Sequence, residues 1–228
     1  MVEVRRPRSL RKRAAVVALA VAAATLVAPP AGAPSISRLV VDTFEQGDLT
    51  GWIEWRYHGR TLYQVVREGE NQFVKAHSQS SASAIGKIVR FNPLRFPHFE
   101  WRWKIEDIIE AGNVLRAEAN DHPAGVYVIF ARGVLPWRVQ IIQYIWANTL
   151  PRGTVARHPT EENIRIVAVE GGRELARQWV RERRNLAEDY RKLFGGEPPQ
   201  VVAIAIMTDT DQTRSQATAY YDDFIVRR

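Results

Sequence analysis

The sequence predicts an all-β protein, a jelly-roll-like β-sandwich of about ten to twelve strands with one short covering helix. Many short segments alternate apolar and polar residues with a period of two, which is typical of strands that bury one face. Glycine, proline, asparagine and aspartate separate these segments at short intervals, as expected for turns. Only one segment has the apolar spacing that an amphipathic helix requires.

The clearest predicted strand is Phe99–Glu106, in which apolar and charged residues alternate without exception. Its aromatic and aliphatic residues therefore share one face, which we expect to be buried. The segments Gly125–Ala131 and Arg138–Ala147 are apolar on both faces, so we expect them to lie centrally in a sheet. The remaining predicted strands are Thr61–Arg67, Gln72–His77, Ser83–Arg90, Asn163–Val169, Arg177–Arg183, Val201–Thr208 and Ala217–Arg227.

The predicted helix begins after Asn185, a residue type that caps helix N-termini well. Leu186, Tyr190, Leu193 and Phe194 then recur at helical spacing, and Gly195 ends the segment. We expect this helix to cover one edge or end of the sandwich. The longest irregular segment is Asp107–Gly125, and long loops at the ends of a sandwich are common places for binding sites.

The first 33 residues have the pattern of a secretory signal peptide. Six basic residues between Arg5 and Arg13 precede an uncharged apolar stretch, Ala14–Ala28, and small residues follow it. The stretch is shorter than the roughly 20 residues of a spanning helix, although an uncleaved anchor remains the alternative. The sequence therefore predicts a periplasmic or secreted protein with a single domain over residues 34–228, which meets a membrane only through an uncleaved leader.

Composition excludes several classes of function. The chain has no cysteine, so it cannot use a cysteine nucleophile or a cysteine-ligated metal. Most of the net charge of +7 comes from the leader, so the remaining domain lacks the basic surface that nucleic acid binding requires. No phosphate loop, dinucleotide fingerprint or nucleophile elbow is present. We therefore predict no nucleic acid partner, and the sequence leaves open whether the protein is an enzyme.

Two sets of residues are candidates for ligand binding. Asp209 and Asp211 alternate where an apolar strand ends, and Asp121 lies in the long loop, so these carboxylates could bind a ligand or a divalent ion. Such a pair of aspartates is also common in polar turns, where the side chains accept hydrogen bonds from the backbone of the same turn. Sugars stack on aromatic rings, and Trp146 at a strand end, with Tyr144 and Asn148, is the predicted ligand-facing aromatic group. The alternative is that these aromatic side chains belong to the core.

Near the start of the domain, Phe44-Glu45 is followed by Gly47 and by Gly51-Trp52, and the last strand contains Asp222-Asp223. These two ends resemble the jelly-roll domains of carbohydrate-binding modules. The resemblance implies that the first and last strands pair and that a structural calcium ion lies between the termini. Glu45, Asp222 and Asp223 would supply its carboxylate ligands. The alternative is a turn residue followed by a solvated sheet edge.

Several stretches of the sequence are fairly specific, among them Tyr144–Asn148, Pro151–Thr154, Glu188–Arg191, Phe194–Pro199 and Ile206–Asp211. Through such stretches, most of residues 40–226 also resembles a bacterial family of unknown function, the one numbered three thousand and forty-seven. The resemblance implies export and a β-sandwich, but it brings no established activity or catalytic residue.

Three functions are compatible with these observations. The first is non-catalytic binding of a glycan or a cell-envelope component. The second is a carboxylate- or metal-dependent hydrolase acting on saccharides through Asp209, Asp211 and Asp121, which requires these side chains to converge. The third is a structural or assembly partner in the envelope, which requires an exposed apolar patch.

Overall fold

The computed structural model describes residues 37–133 and 138–228, so the predicted leader lies outside the described residues. Strands form at all ten predicted segments, and three further strands lie outside them, at Arg38–Asp42, Trp52–His58 and Val155–Arg157. No helix within the described ranges is long and apolar enough to cross a membrane.

One sheet has six strands. They are β1 (Arg38–Asp42), β3 (Leu62–Glu68), β4 (Asn71–Gln79), β6 (His98–Ile105), β11 (Val180–Asn185) and β13 (Gln216–Arg227). The strand order is β11-β6-β13-β4-β3, and β1 also pairs with β13. The β1–β13 pair is antiparallel, with Arg38 opposite Arg227 and Val40 opposite Ile225. The first and last described strands therefore pair, as the resemblance to carbohydrate-binding modules implied.

The other sheet has seven strands. They are β2 (Trp52–His58), β5 (Ala82–Phe91), β7 (His122–Ala131), β8 (Val139–Ala147), β9 (Val155–Arg157), β10 (Ile164–Gly171) and β12 (Val201–Asp209). Their order is β2-β5-β12-β7-β8-β10-β9, and only the β8–β10 pair is parallel. The doubly apolar strands β7 and β8 lie inside this sheet, as predicted.

The pairing of the strands is that of a jelly roll. Antiparallel pairs nest from the outside inward: β4 pairs with β13, β5 with β12, β6 with β11, and β7 with β8. Successive pairs alternate between the two sheets, so the chain wraps around one core in the manner of a double Greek key. The predicted jelly-roll-like sandwich is therefore confirmed.

The core lies between the sheets and is rich in aromatic rings. Phe99, Trp101, Trp103 and Ile105 of β6 are fully buried, which confirms the predicted face of that strand. The rings of Trp101 and Trp103 meet edge to face with centroids 5.5 Å apart. Rings of this size dominate the burial energy of a core.

The predicted helix, α1, spans Leu186–Phe194. The Asn185 side chain accepts hydrogen bonds from the backbone N–H groups of Ala187 and Glu188, and Gly195 has a φ of +76° just beyond the end. Tyr190 of α1 packs against Phe130 of β7, with ring centroids 4.9 Å apart. The helix therefore covers the sandwich where β7 ends.

Candidate functional site

The outer face of the seven-stranded sheet has a floor of small residues. Ala84 and Gly86 of β5 lie beside Ala205 and Met207 of β12 in the centre of the sheet. A Cβ atom added to Gly86 would overlap the indole ring of Trp55. Glycine at this position therefore lets the Trp55 ring lie directly on the sheet.

Aromatic side chains stand beside this floor. Trp55 and Tyr57 project from β2 and Tyr127 projects from β7, and all three are only partly buried. Ile53 and Ile88 on the same face are each 42% exposed. Together these residues form a partly exposed apolar and aromatic surface, which we call the groove. Local sequence patterns did not predict a site at any of these residues.

Two segments limit the groove on its far side. Ile145, Ile166 and Ala168 belong to the same face of the sheet, but they are buried against Val114 of the loop 106–121 and against Leu150 and Ala156 near β9. The open part of the face is therefore confined to β2, β5, β12, β7 and the start of β8. The covered part forms a wall at the end of the groove.

A cavity of about 80 Å³ lies where the groove meets this wall. A chain of hydrogen bonds lines it, in which Gln143 Nε2 donates to Tyr127 Oη over 3.0 Å, and Tyr127 Oη lies 3.1 Å from His122 Nε2. Asn120 Nδ2 lies 2.8 Å from His158 Nε2. The other lining residues are Tyr57, Ile141, Glu161, Asn163, Ile164, Met207 and Asp209.

Three polar atoms beside the cavity have no hydrogen-bond partner within the described ranges. They are Asn120 Oδ1, His122 Nδ1 and Gln143 Oε1, and their residues are 5%, 1% and 1% exposed. Buried polar groups in folded proteins almost always have a partner, so these atoms are candidates for hydrogen bonds to a polar group that enters the cavity. Burial lowers the pKa of His122 to about 3, helped by the charge of His158, so this imidazole is neutral near pH 7.

Three predicted site residues converge at one corner of the cavity. Asp121, Asp209 and Asp211 each place one carboxylate oxygen within 4.8 Å of the others, although they come from a loop and from the end of β12. Among the described residues, these three carboxylates form the group of three or more possible ligands that lies close enough together to hold one metal ion. Oxygen ligands of this kind suit a hard cation such as Ca²⁺.

Asp121 also has a structural role. Its carboxylate accepts hydrogen bonds from the backbone N–H groups of Thr213, over 2.7 Å, and of Gln212, over 3.2 Å. Burial raises the pKa of Asp121, the hydrogen bonds from Thr213 and Gln212 oppose that shift, and the charge of Asp211 adds to it. Asn148 supports the same corner, since its Nδ2 donates to the Asp121 carbonyl over 2.9 Å and its Oδ1 accepts from the Ile109 N–H over 2.8 Å.

Trp146 and Tyr144, the aromatic residues predicted to face a ligand, are core residues. Both side chains are 0% exposed and point between the sheets. Trp146 Nε1 donates to the Gly172 carbonyl over 2.9 Å, and Tyr144 Oη donates to Asp189 over 2.7 Å. The prediction of a ligand-facing Trp146 is therefore corrected, because β8 directs its even-numbered residues inward.

The residues predicted to bind a terminal calcium ion are engaged with other groups. Asp222 is 1% exposed and paired with Arg102 at 2.5 Å, and Asp223 lies 3.2 Å from the same guanidinium. Glu45 is exposed and accepts a long hydrogen bond from the Gln72 N–H. Arg102 thus supplies positive charge between the two aspartates. Calcium at the termini stays a prediction, and an unchanged melting transition in the presence of a chelator would remove it.

A separate pair of buried carboxylates lies between the sheets, away from the groove. Glu170 of β10 is 4% exposed and Glu182 of β11 is 3% exposed. Arg152 covers the pair, with Nη1 at 3.2 Å from Glu170 and Nη2 at 3.7 Å from Glu182. Burial and the charge of Glu170 raise the pKa of Glu182 to about 8, against the opposing effect of Arg152. As a consequence, the two carboxyl groups share one proton. No local motif in the sequence marks this pair, so it was not predicted.

The chain belongs to the family described as "Protein of unknown function (DUF3047)", whose sequence model matches residues 50–225. No match is found among curated protein sequences. Among solved structures, the chain is similar to two carbohydrate-binding modules of Clostridium thermocellum cellulosomal cellulases. The family 11 module of Lic26A-Cel5E is 9% identical with a TM-score of 0.46, covering 85% of this chain and 96% of that one. The family 30 module of Cel9D-Cel44B is 9% identical with a TM-score of 0.47, covering 83% and 96%.

Proposed function

We propose that the protein is an exported, non-catalytic glycan-binding protein and that the groove on the seven-stranded sheet is its binding surface. The observation that carries the proposal is Trp55, whose ring closely approaches Gly86 and remains partly exposed. Sugar rings present apolar C–H faces that pack on such aromatic surfaces. The leader-like sequence of residues 1–33 supports export.

The polar end of the groove suits the hydroxyl groups of a sugar. The amides of Asn120, Gln143 and Asn163 line the cavity next to the Asp209 carboxylate. A few fixed polar groups within an apolar lining are typical of sites that orient a small ligand. The groove also lies on a rigid sheet, so little ordering is required when a ligand binds.

Replacement of Trp55 by alanine tests this proposal. Aromatic anchors of this kind typically contribute about 2 kcal/mol or more to binding, so we expect affinity to fall roughly thirty-fold. The measurement is titration calorimetry with the oligosaccharides that bind the unaltered protein in a glycan screen. Trp179→Ala is the matched control, because Trp179 is also partly buried but packs on the outer face of the six-stranded sheet. Equal affinity of the two variants, or no saccharide binding in the screen, would refute the proposal.

The convergence of Asp121, Asp209 and Asp211 supports a second candidate, a hydrolase that uses these carboxylates or a metal bound to them. The Asp121 carboxylate already accepts hydrogen bonds from the backbone N–H groups of Gln212 and Thr213, which favours binding over cleavage. We expect oligosaccharides to remain intact after incubation with the protein and Ca²⁺ or Mg²⁺, measured by chromatography. Cleavage that Asp209→Asn abolishes and Asp107→Asn, an exposed control, preserves would establish the hydrolase instead.

A further inference from the structure

The cavity at the end of the groove is electronegative. Asp209 is 3% exposed and Glu161 is 9% exposed, and both line it, whereas no lysine or arginine among the described residues does. Asp121 and Asp211 lie within 4.8 Å of Asp209 and add to the negative potential at its corner. Arg132 and Arg165 line a separate cavity, which shares Glu161 with this one.

The unsatisfied oxygens of the cavity can only accept hydrogen bonds. Asn120 Oδ1 and Gln143 Oε1 are amide oxygens without a partner, and their residues are more than nine-tenths buried. Their residues line the same cavity as Asp209, whose carboxylate is a further acceptor. A protonated primary amine carries three N–H donors and no acceptor, so it matches these acceptors.

The apolar part of the cavity also suits an organic cation. The rings of Tyr57 and Tyr127 line it, and aromatic faces attract a nearby ammonium group. Ile141, Ile164 and Met207 complete the lining. A bare metal ion would gain nothing from these side chains, whereas an amine on a sugar ring could use them together with the acceptors.

We propose that the cavity binds the protonated amino group of an amino sugar, so that the groove selects glycans with free amines over acetylated or uncharged ones. This inference rests on the proposed binding of glycans in the groove. Carboxylate, sulfate and phosphate groups are disfavoured at the same position because they would meet Asp209 and Glu161.

The test compares three oligosaccharides of equal length on the unaltered protein by calorimetry: a β-1,4-linked glucosamine oligomer, its N-acetylated form and a cello-oligomer. A charge-assisted hydrogen bond makes the amine form bind about ten- to a hundred-fold more tightly at low salt. That preference decreases as salt is raised or as the pH exceeds the pKa of the amine. Asp209→Asn reduces the preference, and Glu118→Gln, on the exposed part of the loop, leaves it unchanged.

Equal binding of all three oligomers would overturn this inference and leave the proposed function intact. Failure of all three to bind, with no other saccharide bound in the screen, would overturn both. Tight binding of Ca²⁺ alone that is lost in Asp209→Asn, without any preference for the amine, would assign the corner to a metal and also overturn the inference. The comparison on the unaltered protein decides the matter even if the variant does not fold.

Discussion

Replacement of Trp146 by alanine is expected to lower the free energy of unfolding by about 3–5 kcal/mol, the range found when a buried tryptophan or phenylalanine is truncated. Trp146 is fully buried, packs against Trp103 with ring centroids 5.9 Å apart, and donates a hydrogen bond to Gly172. The substitution therefore leaves both a cavity and an unsatisfied carbonyl. Urea unfolding followed by far-ultraviolet circular dichroism measures the change.

The same variant separates a core role from a binding role. Because Trp146 points away from the groove, the protein that remains folded should bind saccharides with unchanged affinity. Trp146→Phe should restore part of the lost stability, since it refills much of the cavity. Loss of saccharide affinity in a Trp146→Ala protein of normal stability would contradict its assignment to the core.

Replacement of Glu182 by glutamine is expected to remove the loss of stability that this carboxyl group causes as pH rises from about 4.5 to 8. The folded-state pKa of Glu182 is raised from 4.5 to about 8, mainly by burial. The folded protein therefore holds the proton more tightly than the unfolded chain does. The stabilisation is complete below the unfolded pKa and is lost as pH rises through the folded pKa.

The expected loss over this range is on the order of a few kcal/mol, because each unit of pKa shift corresponds to about 1.4 kcal/mol. Glutamine cannot ionise, so Glu182→Gln should be more stable than the unaltered protein at pH 8. Its profile should be flatter above about pH 6.5, where the buried His122 no longer adds a pH dependence of its own. The exposed Glu162 provides the control variant Glu162→Gln. Urea unfolding at a series of pH values measures both profiles. A Glu182→Gln profile as steep as that of the unaltered protein would show that the buried pair does not hold a shared proton.

Local patterns in the sequence predicted the fold well where one face of an element is polar. The alternation in Phe99–Glu106 identified β6 and its buried face, and Asn185 and Gly195 marked the ends of α1. These signals lie within a few residues of each other, so no tertiary information is needed to interpret them. The strand β9, only three residues long, carries too little pattern to be recognised.

The error at Trp146 has a specific physical reason. The strand β8 is apolar on both faces, so periodicity identifies two sets of residues without showing which set points inward. The set with Tyr144 and Trp146 faces the core, and Gln143 faces the cavity. The two glutamines of the strand, Gln140 and Gln143, belong to opposite sets, so they do not show which set faces the core.

The groove itself depends on long-range pairing that local patterns do not encode. Trp55 is placed by β2, which pairs with β5 so that the indole meets Gly86. The sequence does contain a hint, because Trp55 and Tyr57 alternate with the charged Glu54 and Arg56. Asp121 and Asp209 are 88 positions apart in the numbering, and they meet because β7 and β12 are neighbours.

Locating the bound saccharide tests directly whether the groove is the binding surface. In an amide and indole NMR titration with a bound oligosaccharide, we predict that the Trp55 indole N–H and the backbone amides of Tyr57, Tyr127, Gln143 and Met207 shift. The Trp179 indole N–H, on the opposite face of the sandwich, should not move. Shifts confined to the six-stranded sheet around Trp179, with Trp55 unaffected, would contradict the assignment of the groove.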